Sequence, residues 1–362
     1  MQSKTLAALL TVLCIGAVPA GQALWAAADR SSALVGVYYF PGWTDGAFVE
    51  RPKPWEALKR FPEKTPQFGY YQDREPVVLR HQLQWMASAG INYVVFDWYA
   101  NAGKPLGDQA IEAYRAVAQD EVRYTILWCN AGRVIRTDPE WRQIVTLWLT
   151  RYAKDPRFLK IGDRPVIFIQ AAAKFSRDAE GQGRTAGQQL AWAQTEARKR
   201  GLPGIFFVAG LDVGPDQPQV RGGGLKKTGF EAVTVYNYGK NPYVGRHAHG
   251  YLELDRAYRA NWQIARANSP LPYVVPMISG WDRRPWGGSA DPGRDPSIST
   301  AAQFAAHLEA GKAVMTAQPV AGQPMGVICC WNEYGEGSYV EPTKGTGTQM
   351  LDAIRQVFGA GN

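Results

Sequence analysis

Cysteine is scarce in this chain, with four in 362 residues. Cys14 lies in an apolar stretch near the start, and Cys129, Cys329 and Cys330 are too few and too scattered for a disulfide scaffold or a Cys-x-x-Cys metal site. Cys329 and Cys330 are neighbours on a predicted strand, where adjacent side chains face opposite sides. They read as two small buried apolar residues, and a disulfide between them would be unusual. Blocks of like charge are also missing. The net charge of +8, from 40 basic and 32 acidic residues, is spread along the chain without aromatic interleaving. That excludes a nucleic-acid surface and leaves solubility, with some attraction to anionic polysaccharide. There is no Gly-rich phosphate loop of the nucleotide-binding types, no Ser-centred nucleophile elbow and no His-Glu-x-x-His motif. His247 and His249 lack the third ligand a metal would need and read as binding-loop or surface residues. Neither a metal nor an organic cofactor is expected.

Long apolar runs are absent beyond the first residues. The run after Lys4, Thr5 to Val18, has 14 residues, fewer than the roughly 20 that span a bilayer. Small residues downstream offer cleavage after Ala23 or Ala28, so residues 1–28 are expected to be a secretory signal peptide rather than an uncleaved anchor. Leu13 ahead of Cys14 does not suit a lipoprotein anchor. The remaining 29–362 is then expected to be secreted or periplasmic, with no stable membrane insertion.

What the chain does have is apolar content for a large core and many aromatic rings, 13 Trp and 17 Tyr. Eight short apolar runs alternate with helix-like stretches: Leu34 to Phe40, Tyr93 to Asp97, Tyr124 to Trp128, Val166 to Gln170, Ile205 to Ala209, Ala232 to Tyr236, Tyr273 to Ile278 and Gly326 to Cys330. Near-continuous apolarity suits parallel strands covered on both faces. Helices are predicted over Pro76 to Ala89, Leu106 to Ala118, Pro139 to Ala153, Ala186 to Arg200, Leu252 to Ala267, Thr300 to Ala310 and Gly347 to Phe358. The helix between the fifth and sixth strands is the weakest, because Gly222, Gly223 and Gly224 interrupt it.

Eight βα units in one domain predict a (β/α)8 TIM barrel, whose chemistry sits at the carboxyl ends of the strands. Polar and aromatic residues do collect just after the runs: Trp43, then Asp97, Trp98, Tyr99 and Asn101, then Asn130, Gln170, Asp212, Asn237 and Tyr238, and Trp281 with Asp282. The opposite loops, such as Gly90 and Gly162-Asp163, are tight turns. Trp43, Trp98, Tyr238 and Trp281 are candidates to stack on sugar rings, and Tyr99 and Asn130 join them as substrate-binding candidates. Each of these rings has an alternative as a packing residue.

The densest signal follows the eighth run. Trp331-Asn332-Glu333-Tyr334-Gly335-Glu336-Gly337 leads through Ser338-Tyr339-Val340 to Glu341-Pro342. Two carboxylates three residues apart, among glycines and aromatics at the end of a buried strand, are what glycosidic-bond chemistry asks for: one carboxyl protonated for the leaving oxygen, one ionised on the sugar. The alternative is a pair of solvated loop carboxylates, but no Lys, Ser or Asn dilutes the core of this cluster. Asp97, Asp282 and Asn332 are read as polar support at the site, each with a structural hydrogen bond or turn cap as the alternative.

These segments, together with Val37-Tyr38-Tyr39-Phe40-Pro41-Gly42-Trp43, Ala89 through Tyr99, Ile161-Gly162-Asp163-Arg164-Pro165-Val166 and Gly280-Trp281-Asp282, resemble glycoside hydrolase family 99 and its WbsX-like relatives. The resemblance implies an α-mannosidase-like (β/α)8 enzyme that acts on an α-linked polysaccharide and retains anomeric configuration with help from the sugar 2-hydroxyl. By motif position it implies that Glu333 is the base and Glu336 the acid, with Glu341 binding sugar hydroxyls or holding the loop. Tyr334 stands where that family usually has Trp, so reaction class transfers better than substrate. A glycosyltransferase of polysaccharide assembly and a non-catalytic carbohydrate-binding barrel are the alternatives.

Overall fold

The computed structural model describes residues 33–117, 119–132, 137–211, 224–238 and 246–359. The expected leader and Asp212 lie outside the described residues. Eight parallel strands form the core: β1 (Leu34–Tyr39), β2 (Tyr93–Asn101), β3 (Arg123–Trp128), β4 (Arg164–Ile169), β5 (Phe206–Gly210), β6 (Ala232–Thr234), β7 (Val275–Ile278) and β8 (Met325–Cys329). Their hydrogen-bonded order is β6-β5-β4-β3-β2-β1-β8-β7. An isolated parallel bridge from Val233 to Tyr273 spans the remaining gap between β6 and β7, making the sheet the expected (β/α)8 barrel.

Strand alternation builds two apolar layers. Tyr93 and Val95 point into the barrel, where they pack with Tyr38, Leu127, Phe168 and Val327. Val94 and Phe96, one residue out of step, face the helices. Full burial of such side chains contributes about 1.5–3 kcal/mol each. Tyr93 also carries a hydroxyl inward and donates it to the Gly326 carbonyl at 2.7 Å, because a buried phenol needs a partner.

The helices are α1 (Pro76–Ala89), α2 (Gln109–Ala116), α3 (Asp138–Leu147), α4 (Ala172–Gly181), α5 (Ala186–Lys199), α6 (Gly224–Thr228), α7 (Tyr251–Asn268), α8 (Ala301–Ala317) and α9 (Gln349–Phe358). Proline opens α1 and Gly90, at φ 86°, ends it. Thr137, Thr185 and Thr300 close capping boxes with Glu140, Gln188 and Gln303.

Several expectations are corrected. The predicted helix from Leu106 begins only at Gln109, because Lys104–Leu106 instead pairs antiparallel with the end of β2. The helix from Thr300 runs on to Ala317: Gly311 does not stop it, since its bare Cα lets the helix lie against Met277. Helix α4 was not expected. Cys329 and Cys330 are not two separate thiols but a disulfide, joined through a cis peptide bond.

Candidate active site

Directly after β8 the chain forms a small hairpin in which Asn332–Glu333 pairs antiparallel with Ser338–Tyr339. Its turn, Tyr334 to Gly337, carries Glu336. Gly337 has φ 70°, and a Cβ there would strike the backbone of Asp282. A Cβ on Gly335 would strike the indole of Trp286. The glycines therefore let the turn lie directly on the loop after β7. That loop holds it in return: the Asp282 N–H donates to the Glu336 carbonyl at 2.6 Å, and Ser279 Oγ donates to the Tyr339 carbonyl at 3.0 Å.

A cavity of about 490 Å³ opens at this end of the barrel, with Asp97, Tyr99, Tyr236, Trp281, Glu333 and Glu336 in its wall. It adjoins a cavity of about 350 Å³ that shares Trp281, Arg283 and Glu336, and another of about 440 Å³ that shares Phe40, Arg51, Tyr99 and Gln170. The three make an elongated groove with the carboxylates at its middle.

One hydroxyl links two of the acids. Tyr236 Oη lies 3.0 Å from Asp97 Oδ2 and 3.2 Å from Glu333 Oε1. A phenol has a single proton to donate. It donates to one carboxylate, and its second contact is a full hydrogen bond only when the other carboxyl holds a proton. Burial pushes Asp97 well above the usual carboxylate range, and nearby Glu336 adds to the shift. Burial, then Glu336 and Asp97, push Glu333 the same way. The pair thus favours sharing a proton. Asp97 Oδ1 and Glu333 Oε2 are both buried and make no hydrogen bond among the described residues. Both residues line the cavity, so its wall contains two acceptors without a donor among the described residues. Glu336 is half-buried. Burial raises it as well, against the opposing charges of Arg283, Arg294 and Arg51.

Of the residues expected at the site, Asp97, Tyr99, Trp281, Glu333 and Glu336 line the cavity. The others are built into its supports. Trp43 is fully buried, stacks on Trp55 at 4.1 Å and donates its Nε1–H to the Asn332 carbonyl, so it offers no face to a sugar. Trp98 points to the helix layer, one step out of phase with Asp97 and Tyr99, and meets Trp148 edge-on. Tyr238 is buried against Tyr258 with its hydroxyl paired to that of Tyr273. Asn130 ties the loops after β3 and β4 together, bonding both the N–H and the carbonyl of Ala171. Asn332 does the same to Phe40.

Asp282 is held by Lys64 at 2.9 Å and Arg284 at 2.7 Å. Burial works to raise its pKa, but the bonds from Arg284 and Lys64 outweigh it and hold the carboxyl at about 2. Glu341 sits beneath the hairpin, accepting from Tyr71, Tyr334 and Gln82 at 2.6–2.9 Å. Burial raises it to about 7. It holds the loop and does not line the cavity.

Sequence reasoning missed Tyr236, Arg51, Arg283, Arg294 and Trp286 as site residues. For Tyr236 a signal existed: it lies two residues beyond Thr234 and four beyond Ala232, on the inward phase of β6. The arginines and Trp286 come from long loops with no periodicity to read.

Fold and site together define a (β/α)8 barrel with a cluster of carboxylates in a groove at the carboxyl ends of its strands. The chain belongs to the family described as "Glycosyltransferase WbsX", whose model matches residues 37–354. It is 24% identical over 345 residues to the "Uncharacterized protein WxcX" of Xanthomonas campestris pv. campestris (strain B100), an alignment covering 88% of this chain and 46% of that protein. The chain thus spans about half the length of the curated relatives it matches. Among solved structures it is similar to a "Glycoside hydrolase-like protein", with TM-score 0.63, 14% identity and coverage of 90% of this chain and 94% of that one. It is also similar to the GH99 endo-alpha-mannosidase from Bacteroides thetaiotaomicron, with TM-score 0.56, 15% identity and coverage of 90% and 95%. These structures show the fold, and they agree with the resemblance read from the motifs.

Proposed function

We propose that the chain is a secreted or periplasmic glycoside hydrolase that cuts an α-linked polysaccharide with retention of configuration. The observation that carries this reading is the pair of carboxylates, Glu333 and Glu336, in the middle of an elongated groove at the carboxyl ends of the strands. One carboxylate removes the proton of the sugar 2-hydroxyl, whose oxygen attacks the anomeric carbon as the glycosidic bond breaks. The other gives its proton to the leaving oxygen. The second group, now a base, then takes a proton from water as its oxygen attacks the anomeric carbon, while the first returns its proton to the departing 2-oxygen, so that both groups are restored. Asp97 and Tyr236 hold Glu333, and Trp281 lines the groove beside Glu336.

The resemblance gives Glu333 the base's role and Glu336 the acid's. The protein's own charges lean the other way, since burial and two neighbouring acids raise Glu333 while three arginines oppose the rise at Glu336. The two assignments differ in one readout. With an activated leaving group that needs no proton, the acid's variant keeps its first step and the base's variant does not.

The test is incubation of the protein, beside Glu333→Gln and Glu336→Gln, with a panel of α-linked bacterial and fungal polysaccharides, reading products by mass spectrometry and their anomers by NMR. Oligosaccharides of retained configuration from the unaltered protein alone support the hydrolase. Binding without release from the panel by all three proteins sinks it in favour of a carbohydrate-binding barrel.

The family's description supports a second reading, a glycosyltransferase. Transfer needs an activated donor, and the sequence carries no Asp-x-Asp motif or nucleotide loop. Consumption of a sugar nucleotide or lipid-linked sugar, with no cleavage of polysaccharide, decides for it.

A further inference from the structure

Three guanidinium groups surround the groove's carboxylates. Arg51 lies over the Trp286 ring, 3.7 Å from its centroid, and Arg294 over the Trp281 ring at 3.6 Å. Arg283 lines the wall on the Arg294 side, and Arg51 lines the opposite end. Among the described residues none of the three makes an ion pair with a carboxylate, whereas the nearby Arg284 and Arg246 are paired with Asp282 and Glu253. Arg294 Nε is buried without a hydrogen bond. The neighbouring acids are engaged elsewhere: Asp291 with His249, and Asp295 with Ser289 and the Arg283 backbone. Glu50 sits beside Arg51 at its end of the groove.

An arginine laid on an indole keeps the N–H edge of its fork available, the edge that matches carboxylate and phosphate oxygens. A single cation would suffice to balance Glu336. Three of them, spread on both sides of the acids, place more N–H donors along the groove than Glu336 alone can take up.

We propose that the groove is built for an anionic glycan, one whose sugars carry carboxylate or phosphate groups on both sides of the bond facing Glu333 and Glu336, with Arg283 and Arg294 holding a charge at one end and Arg51 at the other. The inference rests on the hydrolase reading only for the location of the scissile bond.

The test is binding, by isothermal titration, of the unaltered protein and its Glu336→Gln variant to two α-linked polymers, polygalacturonate and phosphomannan. Each is measured beside its neutral counterpart, carboxyl-reduced or dephosphorylated, at low salt and at about 0.5 M. The expected result is at least tenfold tighter binding of a charged polymer than of its counterpart, shrinking with salt, with the responding polymer identifying carboxylate or phosphate. Arg283→Gln and Arg294→Lys should each lower that affinity about tenfold. Equal binding of charged and neutral polymers, failure to bind either charged polymer, or folded arginine variants of unchanged affinity overturns the inference. Charged-polymer binding without cleavage removes the hydrolase reading and leaves this one standing. Cleavage of a neutral glycan with no preference for charge does the opposite.

Discussion

Replacing Glu341 by glutamine should change how stability depends on pH. In the folded protein burial moves this carboxyl from 4.5 to about 7. Between those values the folded state holds a proton that the unfolded chain has released, so stability falls as pH rises through the window and levels off above it. At about 1.4 kcal/mol per pH unit, the group costs on the order of 3 kcal/mol at pH 8 relative to pH 5. Glutamine has the same shape and does not titrate. Its stability relative to the unaltered protein should therefore improve by on the order of 3 kcal/mol from pH 5 to pH 8, whatever the fixed cost of mispairing Tyr71, Tyr334 and Gln82. Asp73, raised by burial to about 6, slopes the same way in both proteins, and its charge adds a small part of the rise at Glu341. Asp282, held at about 2, acts only at lower pH, where stability is lost as it protonates. Urea melts at pH 5, 6, 7 and 8 supply the measurement. Parallel curves for the two proteins would refute the argument, because they would mean that Glu341 titrates alike in the folded and unfolded states.

Tyr236→Phe removes the hydroxyl between Asp97 and Glu333, a bond to a charged group worth about 1.5–3 kcal/mol, so kcat/KM should fall about 10- to 100-fold. Since that bond lowers both carboxyls, the acid limb of the pH profile should also move upward, and an unmoved limb would count against the shared proton. Lys64→Met leaves the buried Asp282 with Arg284 alone and should cost about 2–4 kcal/mol in denaturant melts. Gly335→Ala drives a methyl into Trp286; a loss of about 1–3 kcal/mol is expected together with weaker glycan binding, and a neutral outcome would show that Trp286 is free to move.

The barrel was legible because each strand announces itself as an apolar run between helical stretches, and those runs pair in chain order around the sheet. The catalytic candidates were legible for a related reason: an acid that closes a buried strand has few structural uses. The failures came from reading loops as lists. Asp97 and Tyr99 share a phase and face the groove, while Trp98 between them is turned to the helices, a distinction that strand alternation already contains. Trp43, Asn332 and Glu341 looked like ligand contacts because buried polar networks and sugar sites use the same residue types. Only the partners tell them apart. The disulfide of Cys329 and Cys330 contradicts the alternation rule itself, since the rule assumes that the strand continues through both residues.

The hairpin that carries Glu333 and Glu336 is braced by residues from the opposite end of the chain. Phe40 grips Asn332 across 292 positions, Tyr71 donates to Glu341 across 270, and β1 lies beside β8. During synthesis Phe40 waits for the 292 positions up to Asn332 to be made, and no fragment that ends before β8 contains both the acid pair and its scaffold. The groove therefore forms late, when β8 takes its place beside β1.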